Sequence, residues 1–196
     1  MKQGTNILIA GVGGQGTLLT SRILGRYALS QGLEVKVSEV HGMAQRGGSV
    51  VTHLRMGERV FSPLIELGEA DILLSFEVLE AARALPLVKR EGLVITNTQR
   101  ISPMPVITGA TEYPGNLVEA ISAKRRCIAL DAFEMANSLG ETRAVNCVLL
   151  GVMTAALGWE EADMLASLAA TVPPKTVEIN AKAFQLGFKV IGGSAG

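Results

Sequence analysis

The chain of 196 residues carries 18 Lys and Arg against 18 Asp and Glu, a balance that excludes a global field able to recruit nucleic acid or an anionic membrane. Its length suits one α/β domain with its own core and is short for a cofactor domain plus a separate substrate domain. Hydrophobic residues make up 48% and charged residues only 18%, which predicts that a large face is buried against partners.

The first predicted element is a strand over residues 7–10, a continuous apolar run of the kind buried on both faces, followed by a helix over residues 17–28 with Leu18, Leu19, Ile23, Leu24 and Tyr27 at helical spacing. Between them lie Gly11, Gly13, Gly14, Gln15 and Gly16. Gly11, Gly13 and Gly16 satisfy the G-x-G-x-x-G fingerprint, in which glycine permits the tight turn, a close approach of backbone to phosphate, and helix-on-strand packing. The helix start then presents N–H groups suited to a pyrophosphate or carboxylate. A second strand over residues 33–38 ends at Glu39, close to where an acid binds the ribose in a nicotinamide-binding fold.

Residues 37–48 read V-S-E-V-H-G-M-A-Q-R-G-G. His41, Gln45 and Arg46 can donate hydrogen bonds, while Gly42, Gly47 and Gly48 let backbone approach a ligand or neighbour. This loop and the first glycine loop are expected at the carboxyl ends of adjacent strands, where open α/β sheets bind ligands. Residues 49–56 and 59–62 then read as two strands joined by Gly57-Glu58, an inserted hairpin, with His53 as a cross-strand surface residue.

Strand–helix alternation resumes with strands at 71–76, 93–97 and 127–130 and helices at 77–84 and 114–123. Beyond residue 141 the chain reads as helical, over 142–157, 160–170 and 175–186. Asn146 inside the apolar first of these requires a partner or an interface. The fold expected is a single Rossmann-like, three-layer α/β domain over residues 1–196, with a mostly parallel sheet, the inserted hairpin and a helical C-terminal part.

The uncharged apolar run over residues 144–159 is shorter than the ~20 residues that cross a bilayer. No basic-then-apolar leader opens the chain, so a cytoplasmic location is expected, with no membrane and no nucleic acid as partner. Cys127 and Cys147 are the only cysteines and His41 and His53 the only histidines. Two isolated thiols do not make an iron–sulfur or zinc site, and no metal site is expected. Thiamine-binding and Ser/His/Asp patterns are missing too.

The stretches G-x-G-G-Q-G, E-V-H-G-M-A-Q-R-G-G and V-x-x-x-L-R, with Ser62-Pro63 and Asn180-x-x-Ala183-x-x-x-Gly187, resemble the gamma-type domain of the 2-oxoacid:ferredoxin oxidoreductases. The middle motif is most similar to the indolepyruvate-type members. The resemblance runs essentially end to end and is strongest at residues 6–17 and 37–63. It implies a smaller, cofactor-free subunit, inactive alone, whose larger partner carries thiamine diphosphate, magnesium and iron–sulfur clusters. The assembly would decarboxylate an aryl pyruvate, pass electrons to ferredoxin through the partner, and transfer the acyl group to coenzyme A. A homodimer of this chain is also compatible with it.

On this reading Gln15, Glu39, His41, Gln45 and Arg46, framed by the glycines at 11, 13, 14, 16, 42, 47 and 48, form an active-site wall or hold the phosphates of coenzyme A. Two other readings fit the same residues. One is a free-standing NAD- or flavin-binding protein with Glu39 on the ribose. The other is a structural scaffold whose glycine turn holds nothing.

Overall fold

The computed structural model describes residues 4–41 and 48–192, His41 in its backbone only. Its strands are β1 (Thr5–Val12), β2 (Glu34–His41), β3 (Ser49–Gly57), β4 (Ala70–Ser75), β5 (Val88–Asn97) and β6 (Arg126–Leu130), forming one sheet in the order β2-β3-β1-β4-β5-β6. Neighbours β1, β4, β5 and β6 are parallel, and β3 runs antiparallel to both β1 and β2. Five strands therefore share one direction and β3 alone is reversed.

The described helices are α1 (Thr17–Ser30), α2 (Val78–Ala84), α3 (Met104–Ile107), α4 (Leu117–Ser122), α5 (Ala132–Ser138), α6 (Val145–Ala156), α7 (Glu161–Ala169) and α8 (Val177–Gly192). Alternation along β1 splits the core into two layers. Ile7 and Ile9 face α1 and α5 to α8, while Leu8 and Ala10 face α2 and α4. All four side chains are sealed from solvent, as a central strand flanked by crossover helices requires. The three-layer α/β architecture and the helical C-terminal part are those expected from the sequence.

The hairpin is built differently from the expectation. Residues 59–62 form no strand, and β3 instead pairs with β2 through Glu34↔Gly57 to His41↔Val50 and with β1 through Thr5↔Met56 to Val12↔Ser49. The glycine turn and Glu39 thus belong to strands separated by β3, not to adjacent ones. The segment after β3 folds across the sheet, and side chains take the place of a ladder in satisfying its backbone. Val60 N–H donates to Glu34 Oε2 at 2.8 Å, Ile65 N–H to His53 Nδ1 at 3.1 Å, and Arg55 Nη1 to the Leu64 carbonyl at 3.0 Å.

That segment covers His53, which is buried and not the surface residue expected. Burial pushes the imidazole below its ordinary pKa of 6.5, because leaving water penalises the charged ring. The unfolded chain therefore binds a proton at higher pH than the folded one. Stability from this site is present above pH ~6.5 and falls as the pH drops through the folded value. Urea melts between pH 7.5 and 5 should show this loss, and His53→Leu should flatten it.

Two shorter features also depart from the sequence reading. The helix expected over 114–123 begins only at Leu117, because Asn116 adopts a left-handed φ of 52°. Helix α5 was not expected; it starts at Asp131, whose side chain accepts from Glu134 N–H at 2.8 Å and so caps the helix directly after β6.

Candidate functional site at the glycine turn

The turn joining β1 to α1 shows why the sequence places glycines there. Gly14 and Gly16 take φ values of 103° and 91°, a region that side-chain-bearing residues rarely enter. At Gly11 the constraint is space, since a Cβ would lie 3.0 Å from Gln15 Oε1 and 3.1 Å from the Phe76 ring. Gly16 caps α1 without a side chain, and no acid stands in the first turn. The first N–H groups of the helix are thus open to an acceptor.

Gln15 is turned into the fold. Its Oε1 accepts from Val12 N–H at 2.7 Å, and its Nε2 donates to the Phe76 carbonyl at 3.2 Å and to Gln99 Oε1 at 3.3 Å. Asn97 Nδ2 donates to the same two oxygens, while Asn97 Oδ1 receives Ala132 N–H at 3.1 Å. This amide chain ties the turn to the ends of β4 and β5, so Gln15 frames the site from within.

Gly48, the last residue of the second motif, is joined to the glycine turn by a backbone bond, Gly13 N–H to the Gly48 carbonyl at 2.9 Å. Ser49, where β3 begins, donates to Glu80 Oε2 on α2, and Glu80 is also paired with Arg83. The descent from the second loop is therefore held at both the turn and α2. Gly42, Gln45, Arg46 and Gly47, with the side chain of His41, lie outside the described residues.

Two clefts flank the turn. The first, about 420 Å³, is lined by Gly13, Gly14, Gly16, Thr17, Leu18, Glu39 and Val50. Glu39 is exposed there, and its Oε2 accepts from Thr52 Oγ1 at 3.3 Å across the β2–β3 pair. The second, about 400 Å³, opens on the α6 side of the turn, with Gln99, Phe133, Arg143 and Asn146 in its walls. Neither Gln99 nor Arg143 stands out in the sequence, because each reaches the site only through tertiary placement. Asn146 is detectable as an amide inside an apolar run. It is 2% exposed, and its Nδ2 has no partner among the described residues, a state that costs roughly 1–3 kcal/mol.

The cysteines stand apart from these clefts. Cys147 is sealed on α6, where its thiol approaches Asn180 Oδ1 at 3.0 Å and burial pushes its pKa up to about 12, which keeps it unreactive. No group of three or more metal-ligating side chains occurs among the described residues. No described helix is long and apolar enough to cross a membrane.

A six-stranded α/β sheet with one reversed strand, and a glycine turn bonded to Gly48 beside a cleft, define a Rossmann-like domain with a ligand-sized cleft at its glycine turn. Residues 6–190 match the Pyruvate ferredoxin/flavodoxin oxidoreductase family, and the chain belongs to that family. It is 40% identical over 191 residues to the Indolepyruvate oxidoreductase subunit IorB of Thermococcus kodakarensis, covering 94% of each chain. Among solved structures it superposes on the keto/oxoacid ferredoxin oxidoreductase gamma subunit of Geobacter sulfurreducens with a TM-score of 0.72 at 24% identity, covering 96% of this chain and 99% of that one. It also superposes, with a TM-score of 0.75 at 17% identity, on the 2-oxoglutarate:ferredoxin oxidoreductase of Magnetococcus marinus solved with 2-oxoglutarate, coenzyme A and succinyl-CoA bound. There it covers 98% of this chain but only 32% of the other, so the same fold also occurs as one part of a longer chain.

Proposed function

We propose that this chain is the smaller subunit of an indolepyruvate-type 2-oxoacid:ferredoxin oxidoreductase. Its larger partner would hold thiamine diphosphate, magnesium and iron–sulfur clusters, which supply decarboxylation and single-electron transfer to ferredoxin. The aryl-acetyl group is passed to coenzyme A. This chain contributes binding, orientation and closure to that chemistry. The reading is supported by the Gly13 to Gly48 bond, which joins the last residue of the second motif to the glycine turn beside a cleft containing Glu39.

Two further features favour a larger assembly. Phe61, Leu64 and Leu67 stand exposed together on the segment after β3, an apolar display suited to a subunit contact. Among the described residues, no strand lies beside the outer edge of β2 in the sheet. The free-standing nicotinamide reading is disfavoured by topology. A ribose-binding acid belongs on the strand next to β1, whereas β3 intervenes and sets Glu39 two strand spacings away, roughly 9–10 Å.

In the assembled enzyme, Arg46→Ala and His41→Ala test the loop directly. A charge-assisted hydrogen bond contributes about 1.5–3 kcal/mol, so losing one at Arg46 should lower turnover or raise the KM for coenzyme A on the order of tenfold or more. Unchanged kinetics in both variants would favour the scaffold reading. Binding of NAD by the chain alone, weakened by Glu39→Gln, would favour the nicotinamide reading.

A further inference from the structure

Helix α1 turns a mixed stripe away from the core. Leu18, Arg22, Gly25, Arg26 and Leu29 recur at intervals of three and four residues, which places them on one face. The two leucines and two arginines are exposed, while Ile23, Leu24, Tyr27 and Ala28 are buried beneath them. Neither Arg22 nor Arg26 makes a hydrogen bond or ion pair among the described residues. A groove of about 800 Å³ runs beside the stripe, walled by α1, by Val35 of β2 and by Ala170 and Thr171 after α7, with no carboxylate among the residues lining it. Val37, on the same side of β2 as Val35 by strand alternation, is exposed as well.

Gly25 has no structural reason within the chain. A Cβ there would meet nothing within 4 Å, and a mid-helix glycine costs about 1 kcal/mol relative to alanine. Where α6 and α8 cross in backbone contact, a glycine stands on each helix, Gly151 and Gly187. Gly25 presents the same bare backbone outward. The charges then decide what covers it. In a two-fold pairing of this chain through Gly25, the arginines of each copy would face those of the other and repel. A helix with carboxylates four residues apart between apolar side chains would meet both arginines with opposite sign, and Leu18, Leu29 and Val37 with apolar surface.

We infer that the outer face of α1 seats an acidic, amphipathic helix of the larger subunit, its backbone crossing at Gly25 and its carboxylates pairing with Arg22 and Arg26. That this helix belongs to the larger subunit rests on the proposed function. Leu18 also lines the first cleft, so the seated helix forms part of the rim of that cleft.

Association of the purified full chain with the larger subunit, followed by biolayer interferometry, tests this without any turnover. The wild-type chain should bind, less tightly as salt rises. The double substitution Arg22→Glu, Arg26→Glu should raise Kd at least tenfold, and Gly25→Leu should do the same by blocking the crossing. Both variants should keep the Tm of the chain alone within about 4 °C of wild type, because the altered side chains face open space. In the wild-type complex Arg22 and Arg26 should be shielded from phenylglyoxal, a readout that needs no variant. Association unchanged in both variants, with both arginines still reactive, would overturn the inference and leave the proposed function standing. No association of the wild-type chain would remove the larger subunit as occupant and the proposed function with it. Self-association lost in the variants while the larger subunit still binds would assign the face to a second copy and overturn the inference.

Discussion

Replacing Gly187 with alanine is expected to destabilise the chain severely, although alanine is intrinsically the better helix former by about 1 kcal/mol. Gly187 lies where α8 crosses α6, and a Cβ there would overlap the Val148 carbonyl oxygen and lie 2.7 Å from its carbon. The obstructing atoms are backbone, so relief requires the two helices to separate. Gly151 on α6 makes the reciprocal contact, its Cβ overlapping the Phe184 carbonyl oxygen and lying 2.8 Å from Phe188 N. Overpacking costs ~1–3 kcal/mol when side chains can shift, and more when backbones must. A loss of roughly 4 kcal/mol lowers Tm by about 8–16 °C for a chain of this size.

Gly25 supplies the internal comparison. It lies mid-helix in α1, and a Cβ there meets nothing within 4 Å. Gly25→Ala should raise Tm slightly, by about 1–4 °C for the ~0.5–1 kcal/mol gained. Opposite signs for one substitution, read by differential scanning calorimetry, would separate helix propensity from the close crossing.

Glu77→Ala is expected to have the second large effect. Glu77 is 1% exposed at the start of α2. Its Oε2 accepts from Glu80 N–H at 2.9 Å, and its Oε1 accepts from Ile101 N–H at 3.1 Å and from the Tyr113 hydroxyl. One carboxylate thus caps α2, anchors the chain after β5 and fixes the aromatic ring over which Arg100 lies. Alanine would strand three donors where little water reaches them. The loss should be roughly 3 kcal/mol, or about 6–12 °C in Tm.

Glu77→Gln retains the shape but turns one accepting end into a donor facing Glu80 N–H, so an intermediate loss is expected. Because Ile101 also lines the second cleft, both substitutions should disturb that cleft before the first. Thermal melts, with hydrogen exchange at Ile101 N–H, would check this.

Much of the fold was legible because burial on two faces leaves a plain sequence record. The apolar runs at 7–10 and 93–95 could be little else than central strands, and Pro86 and Gly158 mark breaks between elements, whereas Gly92, which reads as a break, lies inside β5. The hairpin was misread because Arg59-Val60-Phe61 alternates like a strand, yet Val60 is held by Glu34 and Phe61 is exposed. A side chain 26 residues away substitutes for a ladder, and local periodicity carries no trace of that. His53 was misjudged for the same reason, since its cover comes from Ile65 in a segment without regular structure.

The site was legible in part. Both glycine loops were recognisable, and the positive φ angles at Gly14 and Gly16 give the physical reason for two of the glycines. Gln15 looked like a ligand group but serves the turn itself. Gln99 and Arg143 lie far from the glycines in sequence and carry no motif, so only the folded chain brings them to the turn.

The measurement that bears most directly on the central claim is co-purification of this chain with a large thiamine- and cluster-bearing subunit, followed by anaerobic assay of indolepyruvate- and coenzyme A-dependent reduction of a ferredoxin substitute. The account predicts a stable complex and activity that requires both chains. A large subunit fully active alone, or a chain that binds NAD and associates with no such partner, would contradict it.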